Sequence, residues 1–250
     1  MSPAWPYPFW IAHRGAGKHA PENTLAAFRA GAALGFRMAE CDVKLSADDV
    51  PFLLHDSALE RTTSGLGTAG ERPWAALSQL DAGSWHGPAH AGEPPPTLAA
   101  IARFVLANGL AVNLEIKPTP GLETRTGEFV ARAAAQLWAG RTPPPLLSSF
   151  EVAALEAAAA AAPALPRALL LDTLRDGWFE VARRLDCRAV VTHYPLMTTS
   201  LVQRLHQAGM RALVYTVNAR VDVAAMQATG VDGIITDEVE RYGSEARTTS

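Results

Sequence analysis

The chain has 250 residues, 48% of them hydrophobic, which is enough for one sizeable core and suits a single α/β barrel domain. Its 22 Lys and Arg against 25 Asp and Glu leave a net charge of -3, which argues against a nucleic-acid-binding surface but leaves room for a local cationic pocket. Two cysteines, Cys41 and Cys187, make no disulfide framework. The opening MSPAWPYPFWIAHRG lacks a signal-peptide pattern, and no apolar run reaches membrane-span length. The expected setting is therefore cytoplasmic, with no membrane partner.

The first predicted strand is FWIAH (9–13), and the helix after it (24–34) takes Asn23 or Thr24 as its cap. Strands over 38–45 and 50–55 follow. Residues 57–96, rich in Gly and Pro, are too long for an ordinary loop and are expected to form an insertion packed over one end of the fold. Strand and helix then alternate: helix 97–108, strand 110–117, helix 123–138, strand 146–150, helix 151–161, strand 167–171, helix 176–186, strand 189–193, helix 198–208, strand 211–218, helix 219–228 and strand 231–237. Gly35, Gly109, Gly209 and Gly230 stand where helices end on a left-handed residue. About eight such units predict a (β/α)8 TIM barrel, one domain over 1–250 with an insertion after the second strand region. An open doubly wound sheet would carry G-x-G-x-x-G after its first strand, and HRGAGKHAPEN does not fit it. The N-terminal WPYPFW reads equally as an interface or as a plug at the bottom of the barrel.

Functional groups of a parallel barrel collect at the C-terminal ends of its strands. There lie His13 and Arg14, then Glu40, Asp42 and Lys44, then Glu115 and Lys117. Side chains of a strand alternate faces. Glu40, Asp42 and Lys44 therefore share one face, and so do Asn113, Glu115 and Lys117. Three inward carboxylates repel unless compensated. A hard divalent cation would compensate them, and so would salt bridges to Lys44, Lys117 or Arg14. His13 and His55 each end an apolar strand, and the pair suits a general acid and a general base. Arg14 and Lys117 add fixed positive charge for an anion such as a phosphate. His19, His86, His90 and His206 read as groups without a catalytic role.

The motifs HRG…PENT, ECDVKL, FLLHD…LERTTSG, NLEIKP, LLSSF, VYTVN and DGIITD, in order from about residue 5 to residue 240, resemble the glycerophosphodiester phosphodiesterases. The resemblance implies a TIM barrel with an insertion after the second strand region. It implies one Mg²⁺ or Ca²⁺ on Glu40, Asp42 and Glu115, catalysis by His13 and His55, and phosphate binding by Arg14 and Lys117. Glycerophosphodiesters such as glycerophosphocholine and glycerophosphoethanolamine are the implied small-molecule substrates, with sn-glycerol 3-phosphate and an alcohol as products. Phe150 and Tyr215 are expected to wall the substrate pocket, or else to belong to the core. Glu22 reads as a brace for the site or as a helix-start residue, Asp237 as a helix cap, and His193 stays outside the catalytic set. Attack by water and attack by the glycerol's own hydroxyl remain open, as does which histidine is the acid. A non-catalytic phosphodiester-binding barrel is the alternative. It would keep Arg14 and Lys117 but lose a histidine or a metal acid.

Overall fold

The computed structural model describes residues 5–248, so the outermost ends of the expected 1–250 domain lie outside the described residues. In chain order the elements are β1 (Trp10–Ala12), α1 (Leu25–Leu34), β2 (Met38–Leu45), β3 (Pro51–Leu53), α2 (Trp74–Leu77), α3 (Leu98–Ala107), β4 (Ala111–Ile116), α4 (Glu123–Leu137), β5 (Leu146–Ser149), α5 (Val152–Ala161), β6 (Arg167–Leu171), α6 (Trp178–Arg184), β7 (Cys187–His193), α7 (Thr199–Gln207), β8 (Arg211–Tyr215), α8 (Arg220–Thr229), β9 (Gly233–Thr236) and α9 (Val239–Thr248). Thr24, Thr97 and Thr198 cap α1, α3 and α7 by accepting a backbone N–H at the third residue beyond.

Eight parallel strands close into a barrel. β1 pairs with β9, the order continues β8, β7, β6, β5, β4 and β2, and Ala12 opposite Ala39 joins β2 back to β1. The strand expected over 50–55 is not a stave of this barrel. As β3 it runs antiparallel to β2, with Val43 opposite Leu53 and Leu45 opposite Pro51. The reason is chain length, because the link between β2 and β3 is far too short for a parallel crossover. This hairpin brings His55 back beside the end of β2 that carries the acids.

Between β3 and α3 the chain makes two short 3-10 turns and α2. Phe52, Leu54, Leu59, Ala69 and Leu77 give this region a small apolar cluster of its own. The sequence pattern did not predict α9. Its VERYGSEART is mostly polar, and it holds by burying Val239, Tyr242 and Ala246, with the Tyr242 ring stacked on Trp10 at 4.6 Å.

Alternation sends Trp10, Cys41, Val43, Leu114 and Ile116 outward into the helix-facing core. It sends Ile11, Met38, Ala111, Leu146, Leu170 and Leu213 inward. Trp5 and Tyr7 pack on this inner cluster, and the Tyr7 hydroxyl donates to Pro144 O at 2.9 Å. Of WPYPFW, Trp5 and Tyr7 thus pack inside the barrel, whereas Phe9 and Trp10 belong to the outer core. Among the described residues no helix is long and apolar enough to cross a membrane.

Candidate active site

β2 and β4 are adjacent and in register, with Glu40 opposite Asn113 and Asp42 opposite Glu115. Their inward faces therefore deliver three carboxylates to one place. One oxygen from each of Glu40, Asp42 and Glu115 lies within 4.8 Å of the others, and all three residues are buried. Basic groups compensate them only in part. Lys117 Nζ donates to Glu115 Oε1 at 2.7 Å and lies 3.8 Å from Asp42 Oδ1. Arg14 Nε lies 3.7 Å from Asp42 Oδ2. Asn23 clamps Asp42, its amide donating to Oδ2 at 2.8 Å and its carbonyl accepting the Asp42 N–H at 3.0 Å. Glu40 Oε2 accepts the Arg14 backbone N–H at 3.0 Å, whereas its buried Oε1 meets no protein donor.

The electrostatics follow. Burial, reinforced by the charges of Asp42 and Glu115, pushes the Glu40 carboxyl well above its ordinary pKa. Burial and the Asp42 charge push Glu115 up to about 7. For Asp42 burial acts upward too, but Arg14, His55 and Lys117 outweigh it and hold the carboxyl below its ordinary range. An all-oxygen donor set with excess negative charge and one unmet carboxylate oxygen fits a hard divalent cation.

The two expected histidines flank this cluster, and each is oriented through Nδ1. His13 Nδ1 lies 2.7 Å from Asp237 Oδ1, and its Nε2 is 3.9 Å from Glu40 Oε2. His13 and Arg14 fall in a short 3-10 turn just after β1 rather than in the strand. Arg14 takes a left-handed φ of 52°, uncommon for a residue with a side chain. Gly17, at φ 56°, passes against the Asp237 backbone so closely that a Cβ there would collide with it. His55 Nδ1 lies 2.6 Å from Asp56 Oδ1, and Asp56 accepts from Arg61 Nε. Burial, with the charges of Arg14 and Lys117, holds the His55 pKa below its ordinary value although Asp42 pulls the other way.

Glu22 is the brace rather than a simple helix-start residue. It accepts from Arg14 Nη1 at 2.8 Å and from both terminal nitrogens of Arg61. The resulting chain Arg14–Glu22–Arg61–Asp56–His55 ties the turn after β1 to the segment after β3.

All nine residues expected from the sequence line one cavity of about 180 Å³: the three acids, His13, His55, Arg14, Lys117, Phe150 and Tyr215. Phe150 and Tyr215 meet edge to face at 5.8 Å, and Lys117 Nζ sits 5.3 Å from the centre of the Phe150 ring. Leu170 and Ile235 complete an apolar wall. The cavity opens to two broader clefts. One lies on the His55 side with Lys44, Glu123 and Glu151, the other on the His13 side with Lys18, Trp85 and His86.

Sequence reasoning missed several partners. Asp237, expected as a helix cap, is the carboxylate that holds His13, and Asn218 Nδ2 donates to its second oxygen at 2.9 Å. Only its place after a strand, in DGIITD, hinted at this. Asp56 adjoins His55 in LLHD, which was a legible signal. Arg61 and Asn23 carried none stronger than their presence in LERTTSG and PENT. His86, set aside as a surface group, lines the cleft on the His13 side.

Three comparisons bear on this geometry. The model of the glycerophosphoryl diester phosphodiesterase family matches residues 13–241. The chain is 33% identical over 235 residues to the glycerophosphodiester phosphodiesterase of Caldanaerobacter subterraneus subsp. tengcongensis, covering 92% of this chain and 94% of that protein. Its fold is similar to that of an Oleispira antarctica phosphodiesterase solved in complex with the product sn-glycerol-3-phosphate. That match has a TM-score of 0.90 and 34% identity, covering 96% of each chain.

Proposed function

The chain belongs to the glycerophosphoryl diester phosphodiesterase family and has that enzymatic activity, and from this premise we propose that it hydrolyses glycerophosphocholine, glycerophosphoethanolamine and similar diesters to sn-glycerol 3-phosphate and the free alcohol. One observation carries the reading. Three buried carboxylates, one with an unmet oxygen, stand beside two histidines that are each held at Nδ1 by a carboxylate. Loss of a histidine or an acid, as a purely binding barrel would show, has not occurred. The proposed unit is a single barrel domain over 1–250 with residues 57–96 as its insertion.

Glu40, Asp42 and Glu115 would hold one divalent cation, Mg²⁺ or Ca²⁺, which when bound supplies Lewis-acid polarisation of a phosphoryl oxygen. The protein's own groups do the rest. Arg14 and Lys117 neutralise the phosphodiester anion and the charge that grows on it in the transition state. Both histidines have Nδ1 engaged, so Nε2 is the proton-transferring atom. His55, whose lowered pKa favours the neutral ring, accepts the proton of the attacking oxygen. That oxygen is either that of water, which gives sn-glycerol 3-phosphate directly, or that of the glycerol's own hydroxyl, which gives a cyclic phosphate that a water then opens. His13, oriented by the Asp237 carboxylate at Nδ1, donates from Nε2 to the leaving alcohol. Phe150, Leu170 and Tyr215 exclude water on the far side and pack against the carbon skeleton of the glycerol.

The decisive experiment measures glycerol 3-phosphate release from glycerophosphocholine by metal-stripped protein, with and without Mg²⁺ or Ca²⁺, beside Glu40→Ala. Release that returns with cation and is absent in the variant is expected. Release at full rate without cation, or an active Glu40→Ala, overturns the proposed cation site. No release under any condition overturns the proposed substrates.

A further inference from the structure

Asn113 is a polar residue of this cavity that the proposed mechanism does not use. Its side chain points inward from β4, because it lies two residues before Glu115, and it lines the cavity. The residue is 1% exposed, and neither its amide nitrogen nor its carbonyl oxygen meets any protein group. A buried primary amide left without partners is costly, and an apolar side chain of the same shape would avoid that cost. The neighbouring inward positions do so: Ala111 precedes it on β4, and Leu146 stands opposite it on β5. Asn113 therefore interrupts an apolar layer at the level where the acidic cluster begins.

Its other neighbour shows what the amide faces. Glu40 is its partner in the β2–β4 register, on the same face, and Glu40 Oε1 is the carboxylate oxygen with no protein donor. The two orphans occupy adjacent positions in one wall. A fourth carboxylate here would add negative charge to a cluster already in excess, whereas an amide offers a donor and an acceptor without charge.

We infer that Asn113 is a positioning residue of the cation site, its amide engaging the hydration shell of the ion on Glu40, Asp42 and Glu115 and so holding the Glu40 carboxylate from the adjacent strand. This rests on the proposed cation site. Groups that orient metal ligands from outside typically alter metal affinity by about 10–100-fold when removed.

The test uses the full chain, stripped of metal, with Asn113→Leu and Asn113→Ala beside the wild type. Asn113→Leu matches the shape of the amide, and Asn113→Ala cannot overpack should leucine prevent folding. Calorimetric titration with Mg²⁺ and with Ca²⁺ is expected to show the dissociation constant rising about 10–100-fold in both variants. The cation-free Tm of Asn113→Leu should equal or exceed that of the wild type, since an unmet polar group has been removed, while the cation-induced rise in Tm shrinks. A residue that merely supports the fold would do the reverse. A lower cation-free Tm with unchanged cation affinity overturns the inference. So does unchanged affinity with a raised KM at saturating cation, which would place Asn113 on the substrate. A wild type that binds neither cation overturns the proposed cation site and this inference together, whereas a wild type that binds with Asn113 variants of unchanged affinity overturns this inference and leaves the cation site standing.

Discussion

The two halves of the barrel interior are built on opposite principles. The half formed by β1, β2 and β4 ends in His13, Arg14, Glu40, Asp42, Glu115 and Lys117, whereas the half formed by β5 to β9 presents Phe150, Leu170, Tyr215 and Ile235 to the same cavity. The acids and fixed cations that line the cavity come from three strands and the residues just after them. Burying three carboxylates side by side is costly for stability unless they are compensated, and burial with mutual repulsion pushes Glu40 and Glu115 above their ordinary pKa. It gains in return a low-dielectric wall against which each fixed charge acts strongly. The difference teaches that one half performs the chemistry and the other sets the conditions under which it is performed.

That division yields graded predictions. The largest effects belong to the charged half: His13→Ala and His55→Ala should each lower kcat on glycerophosphocholine by about 10²–10⁴-fold. Thermal unfolding should show a retained fold. With a glycerophosphodiester of p-nitrophenol, whose departure needs no proton, His13→Ala should recover most of its rate and His55→Ala should not. Equal losses in both assays would remove the assignment of acid to His13.

Next comes the apolar half, where the effect should move from rate to stability. Leu146→Ala, at a fully buried inward position below the cavity, should cost about 2–5 kcal/mol in denaturant unfolding while kcat stays near wild type. A large kcat loss with little loss of stability would erase the distinction between the halves.

Asp237 sits on the seam between them. Burial alone would raise its pKa, but the hydrogen bond and charge of His13, helped by Asn218, hold it down at about 2 against an ordinary 3.8. A carboxyl depressed in the folded state contributes stability above its unfolded pKa and loses it as pH falls through the folded value. The stability difference between wild type and Asp237→Asn should therefore be constant above about pH 4 and shrink between 3.8 and about 2. The variant should also lower kcat, by less than His13→Ala does. A difference independent of pH over that window would show that Asp237 is not ionised against His13. The smallest effect is expected at Tyr215→Phe, which removes a hydroxyl donating to Leu171 O at 3.2 Å and should cost about 0.5–1.5 kcal/mol of stability.

The residue pattern alone determined a good deal. Period-two alternation placed Glu40, Asp42 and Glu115 on inward faces before any neighbour was known, because strand geometry is local. The repeated strand–helix rhythm determined the barrel for the same reason. His13 and His55 were legible because a titratable ring at the end of an apolar run is conspicuous in one dimension. What the tertiary structure decided is what depends on chain closure. Asp237 is 224 residues from His13, and only the pairing of β1 with β9 brings them to 2.7 Å. The antiparallel turn of β3 was hidden because Pro-Phe-Leu-Leu reads as a strand whichever way it runs. α9 was hidden because its few apolar residues gain meaning only against Trp10 and α1. Asn113 lay on the correct face of the correct strand, but that both ends of its amide go unmet is a property of three-dimensional packing. Sequence specifies which groups a strand offers and to which side; closure of the barrel specifies what each of them meets.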